Sequence, residues 1–256
     1  MVASKPAGLS TGPAAEHWAA TIAAESEGNA FLINAVVRHL SHVPGELAVR
    51  LGPGGGLSSR GAAGSARALS SLRSLIMARI TRLEAGERAL LELVAVAGQP
   101  VPADLLGLVL GRPAGLHGWL GALHKERLIF LGQRGRERSV ECAHDRLREV
   151  VVAGLTPEQR ALLHRRLAAT AVASGREDPE FLARHLHAAG EHAAAAEQAE
   201  RAAQAAAEAL AFDRAAELYL LALESARAAG TAGAWRLMAA CADAKVNAGR
   251  GAEAAA

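Results

Sequence analysis

Apolar side chains at Phe31, Leu32, Ala35, Val36, His39 and Leu40 recur at i, i+3, i+4 spacing, which predicts a helix with one apolar stripe. A preceding helix is predicted over Ala14 to Glu25, with Gly28 and Asn29 as the elbow between them. The same rhythm returns at Leu72, Leu75, Ile76, Arg79, Ile80 and Leu83, then in "GERALLELVAVAG", which ends at Gly98. Pro100 and Pro102 restart the chain for "ADLLGLVLG", and Pro113 is expected to open a helix through "LHGWLGALHKERL". The period then shortens. "LIFLG" and "RSVECAH" read as strands on either side of the loop "QRGRE", so a hairpin is predicted where three short helices end.

From His144 onward every segment reads as helix. Thr156 with Pro157, and Asp178 with Pro179, are cap and first-turn pairs, because a side-chain oxygen satisfies an orphan amide where proline needs none. Two long Ala-rich helices follow, then a further helix and the start of another. Ala215 to Leu218 after Asp213 echo Ala252 to Ala255 after Arg250, close to the roughly 34-residue period of tetratricopeptide repeats. The sequence therefore predicts a mainly α fold. A winged-helix-like domain with a small β-hairpin is followed by a tetratricopeptide-like helical array whose last repeat is incomplete. The open face of that repeat would favour self-association into a homo-oligomer.

Composition narrows the class. Hydrophobic residues make up 51% of the 256 and aromatics only 3%, which suits helices packed through small side chains. A net charge of +2 announces neither nucleic acid nor a membrane as partner. Cys142 and Cys241 form no C-x-x-C pattern, and no segment approaches the roughly 20 apolar residues of a membrane span. A soluble protein of the cytoplasm is expected.

Three segments in order carry a resemblance. "ESEGNAFLINAVVRHL" resembles the helical lid of signal-transducing NTPases of the STAND class, often written E-G-N-P-F-F. "LIMARITRLEAGERALLELVAVAGQPVPADLLGLVLG" is similar to the start of their winged-helix domain, and "VECAHDRLREVVVAGLTPEQRALLHRRLAATA" to the segment leading into their repeats. The nearest variety is the bacterial regulator that joins such an ATPase to a Ser/Thr kinase, a cyclase or a LuxR-type helix-turn-helix. The resemblance spans about residues 14 to 250. It implies a flexible lead at 1–13, a lid remnant at 14–43, a Gly/Ser-rich linker at 44–66, a winged-helix-like domain at 67–155 and tetratricopeptide-like repeats at 156–256.

The phosphate-binding loop of that class is missing. It requires Gly-Lys-Ser/Thr, and Lys5, Lys125 and Lys245 all lack a preceding glycine. The chain is thus expected to be non-enzymatic and to carry no cofactor itself, ATP and ADP belonging to the full-length module. Its function would be regulation and protein interaction through the helical repeats. By resemblance His144 and Asp145 would sense the nucleotide phosphate, with Gly28 and Asn29 beside the base, although Ala30 replaces the usual proline. Without nucleotide, His144 would pack the hairpin on the repeats and Asp145 would cap a helix.

Two alternatives remain. In the first, the winged helix binds DNA, with Arg134, Arg136 and Arg138 on phosphate and Lys125 on the helix nearest the groove. In the second, the chain is a fragment of an ATP-binding Ser/Thr kinase-ATPase fusion whose catalytic parts lie outside it. His185, His187 and His192 do not make a metal set, because His185 and His187 point in different directions on one helix.

Overall fold

A computed structural model describes residues 76–112, 115–135, 137–231 and 234–254. The expected lead, lid remnant and linker, and with them Gly28 and Asn29, lie outside the described residues. The chain divides into two units, Met1–Leu83 and Glu84–Ala256. In the first, residues 76–81 are helical, within the helix predicted to end near Leu83.

The second unit opens with α1, Ala85–Ala97, started by the Glu84 backbone N–H donating to the Glu87 carboxylate at 3.1 Å. Its core face buries Leu90, Leu91, Leu93 and Val94. Gly86 is a close-approach position: a Cβ there would lie 2.0 Å from the Trp119 ring. The strand β1, Val101–Pro102, leads into α2, Ala103–Val109. Helix α3, His117–Lys125, starts later than Pro113 predicts, because Gly115 N–H closes a turn on the Arg112 carbonyl at 3.3 Å first.

The strands β2, Ile129–Arg134, and β3, Glu137–Cys142, pair antiparallel from Ile129 opposite Cys142 to Arg134 opposite Glu137. The expected "QRGRE" loop is therefore mostly strand. Gly135, at φ 63°, reverses the chain in the short space left, so pairing continues through Gln133 and Arg134. β1 adds a third strand on the far side of β3, giving the order β1-β3-β2. Its proline is tolerated because β1 is an edge strand and needs no donor on its outer side.

Helices α4, Asp145–Ala153, and α5, Pro157–Ala173, follow. Thr156 and Gln159 exchange both capping bonds, at 2.8 and 3.3 Å, as the Thr-Pro pair predicts. Asp178 likewise accepts from the Glu180 and Phe181 amides and starts α6, Pro179–Ala188. The chain then stacks α7, His192–Glu208, α8, Phe212–Ala229, and α9, Ala234–Asn247, and begins α10, Gly251–Ala254. Ala199, Ala203, Ala215 and Ala222 are fully buried around Leu218, Tyr219 and Leu223. Such small faces let neighbouring helix backbones approach closely. The architecture is mainly helical with one small antiparallel sheet.

Candidate functional site

His144 lies between β3 and α4, in extended backbone at the N-terminal end of α4. Its half-buried ring stands edge-on to Phe130 of β2, with centroids 6.1 Å apart and planes at 72°. Burial lowers its proton affinity, and the neighbouring Asp145 carboxylate partly restores it. Asp145 is the first residue of α4, favourable for the helix dipole, and the capping position belongs to His144. The expectation that Asp145 caps this helix is thus corrected by one residue: the chain is still extended at His144. Burial pushes the thiol of nearby Cys142 up to about 12, so it stays protonated near neutral pH.

Lys125 is exposed in the last turn of α3, and Arg138 is exposed on β3 opposite Gln133. Arg134 ends β2, and Arg136 lies outside the described residues.

A second constellation forms where α5, α6, α7 and α8 meet. His164 on α5 and His185 on α6 bring their Nδ1 atoms to 2.7 Å. His185 is only 2% exposed, and Phe181 stands edge-on to its ring at 4.2 Å. Burial holds both imidazoles far below their ordinary value, His164 at about 4 and His185 at about 3. The Arg148 and Arg160 charges push His164 the same way, as His164 and Arg184 do for His185.

On the other side of α6, His187 faces α8. Its Nδ1 lies 2.8 Å from the Ser225 hydroxyl oxygen, and that hydroxyl donates to the Leu221 carbonyl at 2.8 Å. With the hydroxyl proton so engaged, Nδ1–H must be the donor to Ser225, which leaves the lone pair on His187 Nε2. This resembles a nucleophile and its base in pattern only. Ser225 is fully buried, so its oxygen cannot reach a substrate. His192, at the start of α7, packs edge-on to His187 at 5.4 Å.

As its backbone position demands, His185 turns toward α5 while His187 turns toward α8. No group of three or more His, Cys, Asp or Glu among the described residues could hold a metal ion. His164 and Ser225 escaped the sequence reading because their partners lie 21 and 38 residues away across helix elbows.

The third feature is electrostatic. Arg176, in the turn between α5 and α6, donates to both oxygens of Glu137 at 2.9 Å and to Asp104 at 2.6 Å. It joins the tip of the hairpin, the start of α2 and the helical stack. Arg166 on α5 also donates to the Val109 carbonyl, and Arg148 on α4 to the Ala95 carbonyl at 3.1 Å. Arg166 and Arg176 thus fasten the sheet-bearing half to the later helices, and Arg148 ties α4 to α1 within that half.

No protein-family model matches the chain, and neither a curated protein nor a solved structure does.

Proposed function

We propose that the chain is a non-catalytic regulatory and protein-interaction segment of a STAND-type signalling ATPase. In this reading residues 67–155 form a winged-helix-like domain and the later helices are tetratricopeptide-like pairs. The observation that carries it is a recurring charge contact. Glu180, in the first turn of α6, receives Arg214 from the first turn of α8, 34 residues on. Asp213 of α8 receives Arg250 from just before α10, 37 residues on. Helix pairs stacked with such a period have the extended surface that peptide-binding arrays use.

Exposed apolar side chains support a protein as the partner. Trp235, Met238 and Val246 stand on α9 with 69%, 51% and 56% of their surface open. Exposed apolar side chains gathered on one terminal helix are the kind of surface a protein partner can cover. ATP and ADP belong to the full-length module, and the cytoplasm suits the two free cysteines.

Melting of the purified chain with ATP or ADP and magnesium tests the non-catalytic reading. The melting temperature is expected to stay unchanged. A site occupied at about 100 times its dissociation constant would add roughly 2.7 kcal/mol, a shift of a few degrees, and would overturn it.

Exposed Lys125 and Arg138 favour the DNA-binding alternative as the second reading. It predicts a DNA affinity that falls steeply with salt, with a slope reduced by about one on Lys125→Ala.

A further inference from the structure

The seam between α5 and α6 is closed by two imidazoles without a carboxylate between them. Their rings lie 5.0 Å apart with planes tilted by 39°. In the neutral pair one Nδ1–H donates to the other ring's Nδ1 lone pair. His185 Nε2 is buried and lacks a hydrogen-bond partner among the described residues. A first proton must go to a distal nitrogen. On His185 that nitrogen is the orphaned Nε2; on His164 it charges a ring already beside two arginines. A second proton puts hydrogens on both Nδ1 atoms, which face each other at 2.7 Å, so the bond between the helices is lost.

The surrounding charges do not compensate. Arg148 comes from α4, Arg160 from α5 and Arg184 from α6 itself, all cationic. The acids near α6 are otherwise engaged: Glu180 binds Arg184 and Arg214, Glu191 binds Arg165 of α5, and Asp178 caps α6 itself. From α8, Glu224 acts on His187, which also faces Ser225 of α8 and His192 of α7.

We propose that the His164–His185 hydrogen bond is an acid-released joint: proton uptake by the pair parts α6 from α5 and loosens the stack beginning at α6 from the helices before it. The direction follows from linkage. Closed, the imidazoles are held at about 4 and 3; opened to water they return toward 6.5. The open form therefore binds more protons below that value, and the joint is complete above it and weakens as pH falls.

Each proton taken up multiplies the opening constant by about ten per pH unit below the ordinary value. Hydrogen exchange of the full chain at about pH 7.5 and about pH 5, corrected for intrinsic rates, reads this directly: α6 and the C-terminal half of α5 should lose roughly 30-fold in protection relative to α1 for each imidazole freed, about 1,000-fold for the pair. In a His164→Asn, His185→Leu variant the difference should vanish. Equal loss in every helix, no loss in α6, or a loss that persists in the variant overturns the proposal. Should the variant not fold, NMR titration of the wild-type imidazoles decides. Two rings still neutral near pH 5.5 support the joint, and two rings titrating near 6.5 sink it.

Discussion

Arg176 holds both carboxylate oxygens of Glu137 across 39 residues of sequence, tying the hairpin tip to the elbow of the helical stack. The geometry is the bidentate fork that guanidinium and carboxylate favour, with Asp104 as a second acceptor on the same nitrogen. Arg176 is 28% exposed, so solvent weakens the contact without removing it. Arg176→Gln is expected to lower stability by about 1 kcal/mol at low salt, and by less as salt rises. Chemical denaturation at two ionic strengths checks it; a loss independent of salt would mean that packing, not charge, is at work.

The same contact carries a pH dependence. The Arg176 hydrogen bonds hold the Glu137 carboxyl below the usual carboxylate range. A depressed acid stabilises the fold above its unfolded value, and this contribution is lost as pH falls through the folded one. Arg176→Gln should therefore flatten the acid limb of the stability curve, whereas the histidine joint acts at higher pH. Identical acid limbs in the two proteins would refute the assignment.

Leu210 occupies a glycine's place. The turns after α5, α6, α8 and α9 put Gly175, Gly190, Gly230 and Gly249 at φ between 66° and 80°, and the turn after α7 puts Leu210 at 59°. A side chain there crowds the following carbonyl, at a cost of roughly 1–2 kcal/mol, partly offset by the entropy that glycine would lose. Leu210 is 74% exposed, so its removal forfeits little packing. Leu210→Gly should raise stability by about 0.5–1 kcal/mol, and Gly190→Ala should lower it by a similar amount. A destabilised Leu210→Gly would show that the leucine packs more than its exposure suggests.

Gly86 and Trp119 make a pair of opposite sizes. The indole ring lies where the Cβ of any other residue would be, and the Arg112 guanidinium lies over the ring, 5.0 Å from its centroid. Gly86→Ala should cost about 1–3 kcal/mol through overpacking, more than the helix propensity of alanine returns. Combined with Trp119→Ala, the loss should be well below the sum of the two single losses. Strict additivity would show that the ring moves aside freely.

Local rules made the helix starts at Thr156-Pro157 and Asp178-Pro179 legible, because capping needs only residues within one turn. β1 was not legible: two residues with a proline show no period, and only pairing with Ser139 and Val140 makes them a strand. The start of α3 slipped because the Gly115 turn competes with Pro113 as the initiating signal. His144 stood out from the sequence, whereas its contact with Phe130 depends on the hairpin register. Arg176 reads as an ordinary loop arginine, since Asp104 lies 72 residues upstream. Contacts between distant elements have no local pattern, and the imidazole pair and the arginine hub are both of that kind.

The buried hydroxyl of Ser225 offers the sharpest test of the polar interior of the stack. It donates to its own helix at the Leu221 carbonyl and so has only lone pairs to offer His187. That orientation sets the His187 tautomer, with hydrogen on Nδ1 and the free pair on Nε2. Ser225→Ala deletes the acceptor. With the half-buried Nδ1–H left unpaired, the fold should lose about 1 kcal/mol. The tautomer should then shift toward the Nε2–H form, visible in the imidazole nitrogen-15 resonances at neutral pH. An unchanged tautomer with unchanged stability would mean that the Ser225 hydroxyl contributes nothing to holding α6 against α8.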